Sequence, residues 1–228
     1  MSTPSTISGV VFDLDGIVVD TEHLWEQSWH ACCSRRDVRW TREDTREVQG
    51  MSAPEWAYYI AVRLGSPGQA RSVRDECVGY VVAAIRNGQG PLLNGARDLI
   101  VKVAEQVQIA LASSAARSVI DTVLSLHQIE DRFSATVSSE EVRRGKPNPD
   151  VYQEAARRIG IAAGTGIAVE DSGNGIRAAH AAGLSVVAIP NPTYPPAQEA
   201  LELADHVAAD HHDALDYVLD RLAKETRR

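Results

Sequence analysis

Six short apolar runs, separated by longer amphipathic segments, constrain the fold of this chain more than any other feature of its sequence. The runs are residues 9–12, 107–112, 134–138, 166–169, 184–189 and 206–209. Apolar runs of this length that alternate with helical patterns are typical of parallel β-strands joined by crossover helices. The sequence therefore predicts an α/β fold, in which a doubly wound parallel sheet forms a Rossmann-like core with helices on both faces.

Residues 21–88 interrupt this alternation, because they contain helical patterns and no convincing strand. Residues 54–64 and 69–88 have the apolar spacing of two helices, and another helix is expected near the start of the segment. We therefore expect an all-α cap domain at residues 21–88, inserted into a catalytic core domain formed by residues 1–20 and 89–228.

Composition and charge argue against several classes of protein. The chain has 228 residues, of which 44% are hydrophobic and 24% charged, as in ordinary soluble globular proteins. Its net charge of −8, without a basic block, argues against nucleic acid or an anionic membrane as a partner. No apolar run approaches the roughly 20 residues of a membrane span, and the first residues lack the pattern of a signal peptide. We expect a cytoplasmic protein that is a monomer or a weak homo-oligomer.

Polar side chains follow the ends of four predicted strands. They are Asp13, Asp15, Ser113, Ser114, Lys146, Glu170 and Asp171. The carboxyl ends of parallel strands lie along one edge of a sheet, which is where open α/β folds bind ligands. We therefore expect these side chains to meet at one site, although their positions in the sequence are far apart.

The mixture of carboxylates, hydroxyls and one ammonium suits phosphoryl transfer. Carboxylate oxygens are ligands that Mg²⁺ prefers, whereas an ammonium and N–H groups can bind phosphate oxygens. A carboxylate can also act as a nucleophile, and a second carboxyl two residues away can serve as general acid and base. Each feature alone is common in a turn, at a helix cap or on the surface. Their occurrence at successive strand ends favours a small phosphorylated substrate.

Four segments resemble the motifs of the haloacid dehalogenase superfamily, and most closely those of its phosphatase and β-phosphoglucomutase branch. They are FDLDGIVVDTE (12–22), LASSA (111–115), GKPNPDVY (145–152) and VEDSGNGIRAA (169–179). The helical insertion is similar to the cap domain of that branch, so the resemblance spans nearly the whole chain. It implies a Mg²⁺-dependent phosphatase that hydrolyses small phosphorylated metabolites, such as sugar phosphates, through an aspartyl-phosphate intermediate.

The resemblance also implies roles for five residues of the first three motifs. Asp13 would be the nucleophile, and Asp15 would be the general acid and base and would lend Mg²⁺ its backbone carbonyl. Ser113 would bind the transferring phosphoryl group together with the backbone N–H of Ser114. Lys146 would bridge the phosphoryl oxygens and the nucleophile.

The remaining implied roles concern the metal and the cap. Asp171 would complete the Mg²⁺ site, with Glu170 as a further ligand or as a partner of the ligands. The segment QGMS (49–52) is similar to the cap loop that faces the substrate in this branch. Gly50 and Ser52 are therefore candidate substrate-binding residues.

Two other functions remain open at this point. β-Phosphoglucomutases resemble the chain in every core motif, but they carry a histidine and an arginine where this chain has Trp25 and Ala53, which favours hydrolysis. Arg63, Arg117 or another basic residue could still supply the missing cation. A phospho-accepting receiver domain also uses an aspartate, Mg²⁺ and a lysine on a doubly wound sheet. A receiver needs neither a long insertion nor Asp15.

Other conspicuous residue types are expected to have structural roles. The four tryptophans are expected mostly in the core of the cap, with some of them lining the substrate cleft. The three cysteines form an odd set without metal-binding spacing and are expected to be buried, reduced thiols. His206, His211 and His212 show no partner pattern and are expected on the surface.

Overall fold

The computed structural model describes residues 7–48, 51–162 and 164–226, with side chains described as far as residue 223. Its strands are β1 (Gly9–Phe12), β2 (Gln108–Ser113), β3 (Ala135–Ser138), β4 (Gly166–Glu170), β5 (Ser185–Ala188) and β6 (His206–Val207). They form one parallel sheet in the order β3-β2-β1-β4-β5-β6. The predicted fold class, a doubly wound parallel sheet, is confirmed.

Helices fill the connections between the strands. Those between β1 and β2 are α1 (Glu22–Ser34), α2 (Arg42–Val48), α3 (Ala53–Arg63), α4 (Ala70–Arg86) and α5 (Ala96–Ala104). The later ones are α6 (Arg117–His127), α7 (Asp150–Arg158), α8 (Gly173–Ala181) and α9 (Gln198–Leu201), and α10 (His211–Thr226) follows β6. Short 3₁₀ segments lie at Pro67–Gln69, Glu130–Arg132 and Ser139–Glu141.

The helices α1 to α4 occupy the segment that the sequence predicts as a helical insertion. Helix α4 packs against both α1 and α3, so these helices cover one another's apolar faces. The short helix α2 is not evident in the apolar spacing of the sequence. We propose that residues 21–88 form a cap domain and that residues 1–20 and 89–228 form the core domain.

Burial on both faces of the sheet explains why its central strands β1 and β4 are almost wholly apolar. In β1, Val10 and Phe12 belong to an apolar cluster that continues into α5, α6 and α10. Val11 points to the opposite face, as the two-residue period of a strand requires, and joins the cluster formed with α7 and α8. A strand with two buried faces reads as a continuous apolar run rather than as an alternating one.

The register of the sheet decides which strand ends become neighbours. Phe12 of β1 is paired with Leu111 of β2 on one side and with Val169 of β4 on the other. The backbone N–H of Asp13 donates to the carbonyl of Val169 at 3.0 Å, so the pairing continues for one more residue. Asp13 therefore lies beside the end of β4, where Glu170 is located.

Two of the three C-terminal histidines are less exposed than the surface positions that the sequence predicts. The His211 ring is buried, and its Nε2 lies 2.7 Å from the carbonyl oxygen of Ile17. The His206 ring stacks on Tyr217 with 4.3 Å between ring centroids. His212 is exposed, as expected. The prediction for His211 was wrong because its partner is distant in sequence.

Within residues 7–48, 51–162 and 164–226, no helix combines the length and the hydropathy that a membrane span would require.

Candidate active site

Four of the predicted site residues meet in a buried cluster at the carboxyl edge of the sheet. The ammonium nitrogen of Lys146 lies 2.6 Å from Oδ1 of Asp13 and 2.6 Å from Oε1 of Glu170. Asp13, Glu170 and Asp171 each place a carboxylate oxygen within 4.8 Å of the others. All four side chains are buried. Segments that are far apart in the sequence thus form one charged group inside the protein.

A glycine allows the first loop to approach the acidic cluster closely. Gly16 has a φ of 78°, a backbone conformation that L side chains rarely adopt. A Cβ atom at this position would lie 2.0 Å from Oδ2 of Asp171. The Asp15-Gly16 pair therefore forms a turn and also leaves room for the Asp171 carboxylate.

Lys146 is the cation of the cluster. Burial by itself would lower the pKa of its ammonium, but the carboxylates of Asp13 and Glu170 outweigh that effect and hold the pKa above its usual value. The ammonium also lies 4.9 Å from the centroid of the Tyr152 ring. Lys146 is therefore charged over the whole physiological pH range.

Both carboxylate oxygens of Glu170 are fully engaged in hydrogen bonds. Oε1 accepts from Lys146 and, at 3.0 Å, from the Tyr152 hydroxyl. Oε2 accepts from the backbone N–H groups of Asp171 and Ser172, both at 2.9 Å, and from the Ser172 hydroxyl at 3.0 Å. Burial opposes ionisation, but Lys146 and these donors hold the pKa of Glu170 below its usual value. Its geometry suits a partner that orients Lys146 and the start of α8.

The two other carboxylates of the cluster are poorly compensated. Burial, with the neighbouring charges of Glu170 and Asp15, raises the pKa of Asp13 to about 8 despite the contact with Lys146. Burial and the carboxylates of Glu170 and Glu22 raise the pKa of Asp171 well above its usual value. Oxygen donors whose negative charges are crowded in this way suit a hard divalent cation such as Mg²⁺. The residues present therefore fit this metal.

The Asp15 side chain contacts the residues at the start of α1. Its Oδ1 accepts hydrogen bonds from the Thr21 hydroxyl and, at 3.1 Å, from the indole N–H of Trp25. Burial raises the pKa of Asp15, although both hydrogen bonds act in the opposite direction. A contribution of Asp15 to metal binding through its backbone carbonyl stays a prediction.

The serines after β2 differ in their surroundings. Ser113 is buried, and its Oγ accepts a hydrogen bond from the backbone N–H of Ala115 at 2.9 Å. The Oγ of Ser114 is also buried, but it has no hydrogen-bond partner within the described parts of the chain. The sequence predicts a role only for the backbone N–H of Ser114. The structure adds a free hydroxyl beside the acidic cluster.

Two residues of the cap, Ser52 and Gly50, are predicted to bind substrate. Ser52 is the N-cap residue of α3, and its backbone N–H donates to Oε2 of Glu55 at 2.9 Å, as in a capping box. Ser52 also packs against Gly145, because a Cβ added to that glycine would lie 2.7 Å from the Ser52 Cβ. Gly50 lies outside the described residues. Substrate binding by either residue stays a prediction.

A cavity joins the acidic cluster to the helices α1 to α3, and we call it the active-site cavity. On the side of the sheet edge, the cavity is lined by Asp13, Asp15, Ser114, Ala115, Lys146, Asp171 and Ser172. The other side is mainly aromatic and apolar, with Glu22, Trp25, Trp29, Thr45, Val48, Met51, Trp56 and Tyr194. Tryptophans therefore line the cleft, as the sequence analysis expects for some of them.

The loop after β5 contains site residues that the motifs in the sequence do not reveal. The Asn191 side-chain amide donates to Oδ2 of Asp171 at 3.2 Å and also to the carboxylate of Glu22. The Tyr194 hydroxyl donates to Oε2 of Glu26 at 3.1 Å. These contacts connect the sheet edge to α1. Their position just after a parallel strand is the signal that could have identified them.

Comparisons with known proteins agree with one another. A family model described as haloacid dehalogenase-like hydrolase matches residues 10–189. Hexitol phosphatase B of Escherichia coli K12 is 29% identical over 198 residues, which are 84% of this chain and 87% of that protein. The plasmid protein CbbY of Cupriavidus necator is 32% identical over 200 residues, which are 81% of this chain and 78% of that protein.

A solved structure of β-phosphoglucomutase from Clostridium difficile has a similar fold. The TM-score is 0.82, and the match covers 98% of this chain and 100% of the mutase chain. The sequence identity is 21%, so this similarity shows the fold alone.

Proposed function

Since the chain belongs to the haloacid dehalogenase-like hydrolase family, we propose that it is a Mg²⁺-dependent phosphatase acting on small phosphorylated metabolites, including sugar phosphates. Membership in this family confirms the resemblance to the haloacid dehalogenase superfamily that the four sequence motifs indicate. The observation that carries the proposal is the buried cluster of Asp13, Lys146 and Asp171 on the wall of a cavity. A hexitol phosphatase among the relatives supports the same class of substrate. We place the enzyme in the cytoplasm.

The proposed reaction begins when the phosphate enters beside Lys146, where the Ser113 hydroxyl and the backbone N–H of Ser114 would bind the phosphoryl oxygens. Asp13 attacks phosphorus through a carboxylate oxygen and forms an aspartyl-phosphate, while the bond between phosphorus and the alcohol oxygen breaks. Mg²⁺ held by Asp13 and Asp171 would neutralise charge on the phosphoryl oxygens. Lys146 also holds the carboxylate of Asp13 in place.

Proton transfer is assigned to Asp15. Its raised pKa favours the protonated form, which can donate to the departing alcohol oxygen. The same carboxylate then takes a proton from the water that attacks the aspartyl-phosphate, and inorganic phosphate is released. Asp15 lines the same cavity as Asp13 and Lys146, so all three groups can reach one bound substrate.

The arrangement of cations favours hydrolysis over the mutase reaction. A mutase must bind a second, unreactive phosphate, which needs a further cation in the cavity. Among the described residues that line the cavity, Lys146 is the only lysine or arginine. Arg63 is paired with Asp44 at 3.1 Å, and Arg117 is paired with Glu141. Neither arginine therefore replaces the cations that the mutases carry.

The test supplies β-glucose 1-phosphate, with and without glucose 1,6-bisphosphate, and follows inorganic phosphate and glucose 6-phosphate. We expect net release of phosphate, with the Asp13→Asn variant as the control for a contaminating phosphatase. Faster formation of glucose 6-phosphate than of phosphate would favour the mutase. A p-nitrophenyl phosphate assay addresses the receiver alternative, since a receiver would show no steady-state turnover of this compound.

A further inference from the structure

The side chain of Asn191 lies between two carboxylates where the sheet edge meets α1. Its amide nitrogen Nδ2 lies 3.2 Å from Oδ2 of Asp171 and also donates to the carboxylate of Glu22, the first residue of α1. A primary amide carries two N–H donors, so one donor is available for each carboxylate. One side chain therefore contacts both a candidate metal ligand and the first helix of the insertion.

The register of the sheet places Asn191 beside Asp171, although the two residues are 20 positions apart in the sequence. Strands β4 and β5 are parallel, with Glu170 paired with Ala188. The backbone N–H of Ile189 then donates to the carbonyl of Glu170 at 2.8 Å, and that of Asn191 donates to the carbonyl of Asp171 at 3.5 Å. The two segments therefore stay side by side as they leave the sheet, which brings the Asn191 side chain to the acidic cluster.

Backbone donors fix the direction of the Asn191 amide. Its Oδ1 accepts from the N–H groups of Thr193 at 2.9 Å and Tyr194 at 3.1 Å, the pattern of an Asx turn. Rotation of the amide by 180° would direct Oδ1 at the two carboxylates and Nδ2 at the backbone donors, so both sets of contacts would become repulsive. Nδ2 must therefore face Asp171 and Glu22.

A neutral donor affects the charge of the site differently from a cation. Lys146 brings a full positive charge to Asp13 and Glu170, at 2.6 Å from each carboxylate. The Asn191 amide instead restrains the Asp171 carboxylate without neutralising it. An ammonium in its place would compensate the negative charge that attracts a divalent cation, whereas an amide preserves that charge.

We propose that Asn191 is a positioning residue, which holds the carboxylate of Asp171 in the orientation in which it binds Mg²⁺. A partner that hydrogen-bonds a ligating carboxylate restricts its rotation, and loss of such a partner weakens metal binding by about 10- to 100-fold. This inference rests on the proposed function, because it requires Asp171 to be a metal ligand. It also connects the metal site to α1, since the same amide donates to Glu22.

The first experiment measures Mg²⁺ binding by Asn191→Ser without turnover. A serine hydroxyl can still accept from the N–H groups of Thr193 and Tyr194, but it is too short to donate to both carboxylates. Urea unfolding at increasing Mg²⁺ concentrations gives Kd, because a metal that binds only the folded protein stabilises it once its concentration exceeds Kd. We expect the Kd of Asn191→Ser for Mg²⁺ to be about tenfold higher than that of the wild type.

Asn87→Ser is the matched control for this experiment. The Asn87 side chain is exposed after α4 and does not line the active-site cavity, so this variant should have the wild-type Kd. Unfolding in EDTA establishes that both variants are folded. A folded Asn191→Ser protein with the wild-type Kd would overturn the inference and leave the phosphatase proposal intact. If Mg²⁺ does not stabilise the wild type, both the inference and the proposed Mg²⁺ dependence are wrong.

The second experiment separates positioning of the metal ligand from a merely structural role of Asn191. With p-nitrophenyl phosphate as substrate, Asn191→Ser should need about tenfold more Mg²⁺ for half-maximal turnover. Its kcat at saturating Mg²⁺ should stay close to the wild-type value, because excess metal restores the occupied site. A lower kcat or a lower stability with an unchanged Mg²⁺ requirement would indicate a structural role alone and would overturn the inference.

Discussion

Replacement of Lys146 by methionine tests the electrostatic account of the acidic cluster. The lysine side chain is 3% exposed, and its ammonium contacts Asp13 and Glu170 at 2.6 Å each. Removal of one partner from a buried ion pair costs about 3–5 kcal/mol, because the remaining charge stays buried without compensation. Methionine has a similar length, so lost packing should contribute little. We expect Lys146→Met to lower the free energy of unfolding at pH 7 by about 3 kcal/mol in EDTA.

The pKa shifts of Glu170 and Lys146 set the pH range in which their ion pair stabilises the wild-type protein fully. The pKa of Glu170 is lowered from its usual 4.5, so its stabilisation is present above that value and is lost as the pH falls through the folded pKa. The pKa of Lys146 is raised from its usual 10.5, so its contribution is complete below 10.5. In the variant, the carboxyls of Asp13 and Glu170 lack the ammonium partner. They therefore bind protons at low pH, which removes the uncompensated charge. The difference between wild type and variant should therefore be smaller at pH 5 than at pH 8.

The assay is urea unfolding followed by tryptophan fluorescence in EDTA. Lys102→Met is the matched control, because the Lys102 side chain is 52% exposed and its ammonium lies 3.5 Å from Asp98. We expect the control to change the free energy of unfolding by less than about 0.5 kcal/mol. A Lys146→Met protein within about 1 kcal/mol of the wild type would contradict the reasoning, since the loss of a buried partner is expected to cost several times as much.

Three further predictions concern the nucleophile, the metal and the cap. Asp13→Asn should remain folded yet lose about 10³-fold or more in kcat, and a variant with a tenth of wild-type turnover would refute the assignment. EDTA should abolish phosphate release, and added Mg²⁺ should restore it. Ca²⁺ should substitute poorly, because it prefers more ligands in a looser geometry. Full activity in metal-free buffer would exclude this metal site. Glu76 is paired with Arg35 and Arg36, which lowers its pKa from 4.5 to about 2. Glu76→Gln should therefore cost about 1 kcal/mol at pH 7, after allowance for partial exposure, and the loss should shrink as urea unfolding is repeated towards pH 2.

The positions of the strands and of the core motifs could be read from the sequence because both depend on local patterns. A strand buried on two faces must be apolar throughout, so β1 and β4 are visible as runs. Asp13, Lys146 and Asp171 could be assigned to one site because the ends of parallel strands lie along one edge of a sheet. The short helix α2 shows the limit of this reasoning, since it lacks a strong apolar period of its own.

Contacts between distant segments were decided only by the tertiary structure. The direction of the Asp15 carboxylate depends on how α1 packs above the sheet edge, and the burial of His211 depends on a carbonyl of Ile17, 194 residues earlier in the chain. The sequence likewise predicts tryptophans in the core of the cap, but it does not show that the indole N–H of Trp25 donates to Asp15. Apolar periodicity determines which face of an element is buried, whereas the partner of each polar atom is determined by the packing of elements that the chain brings together from far apart.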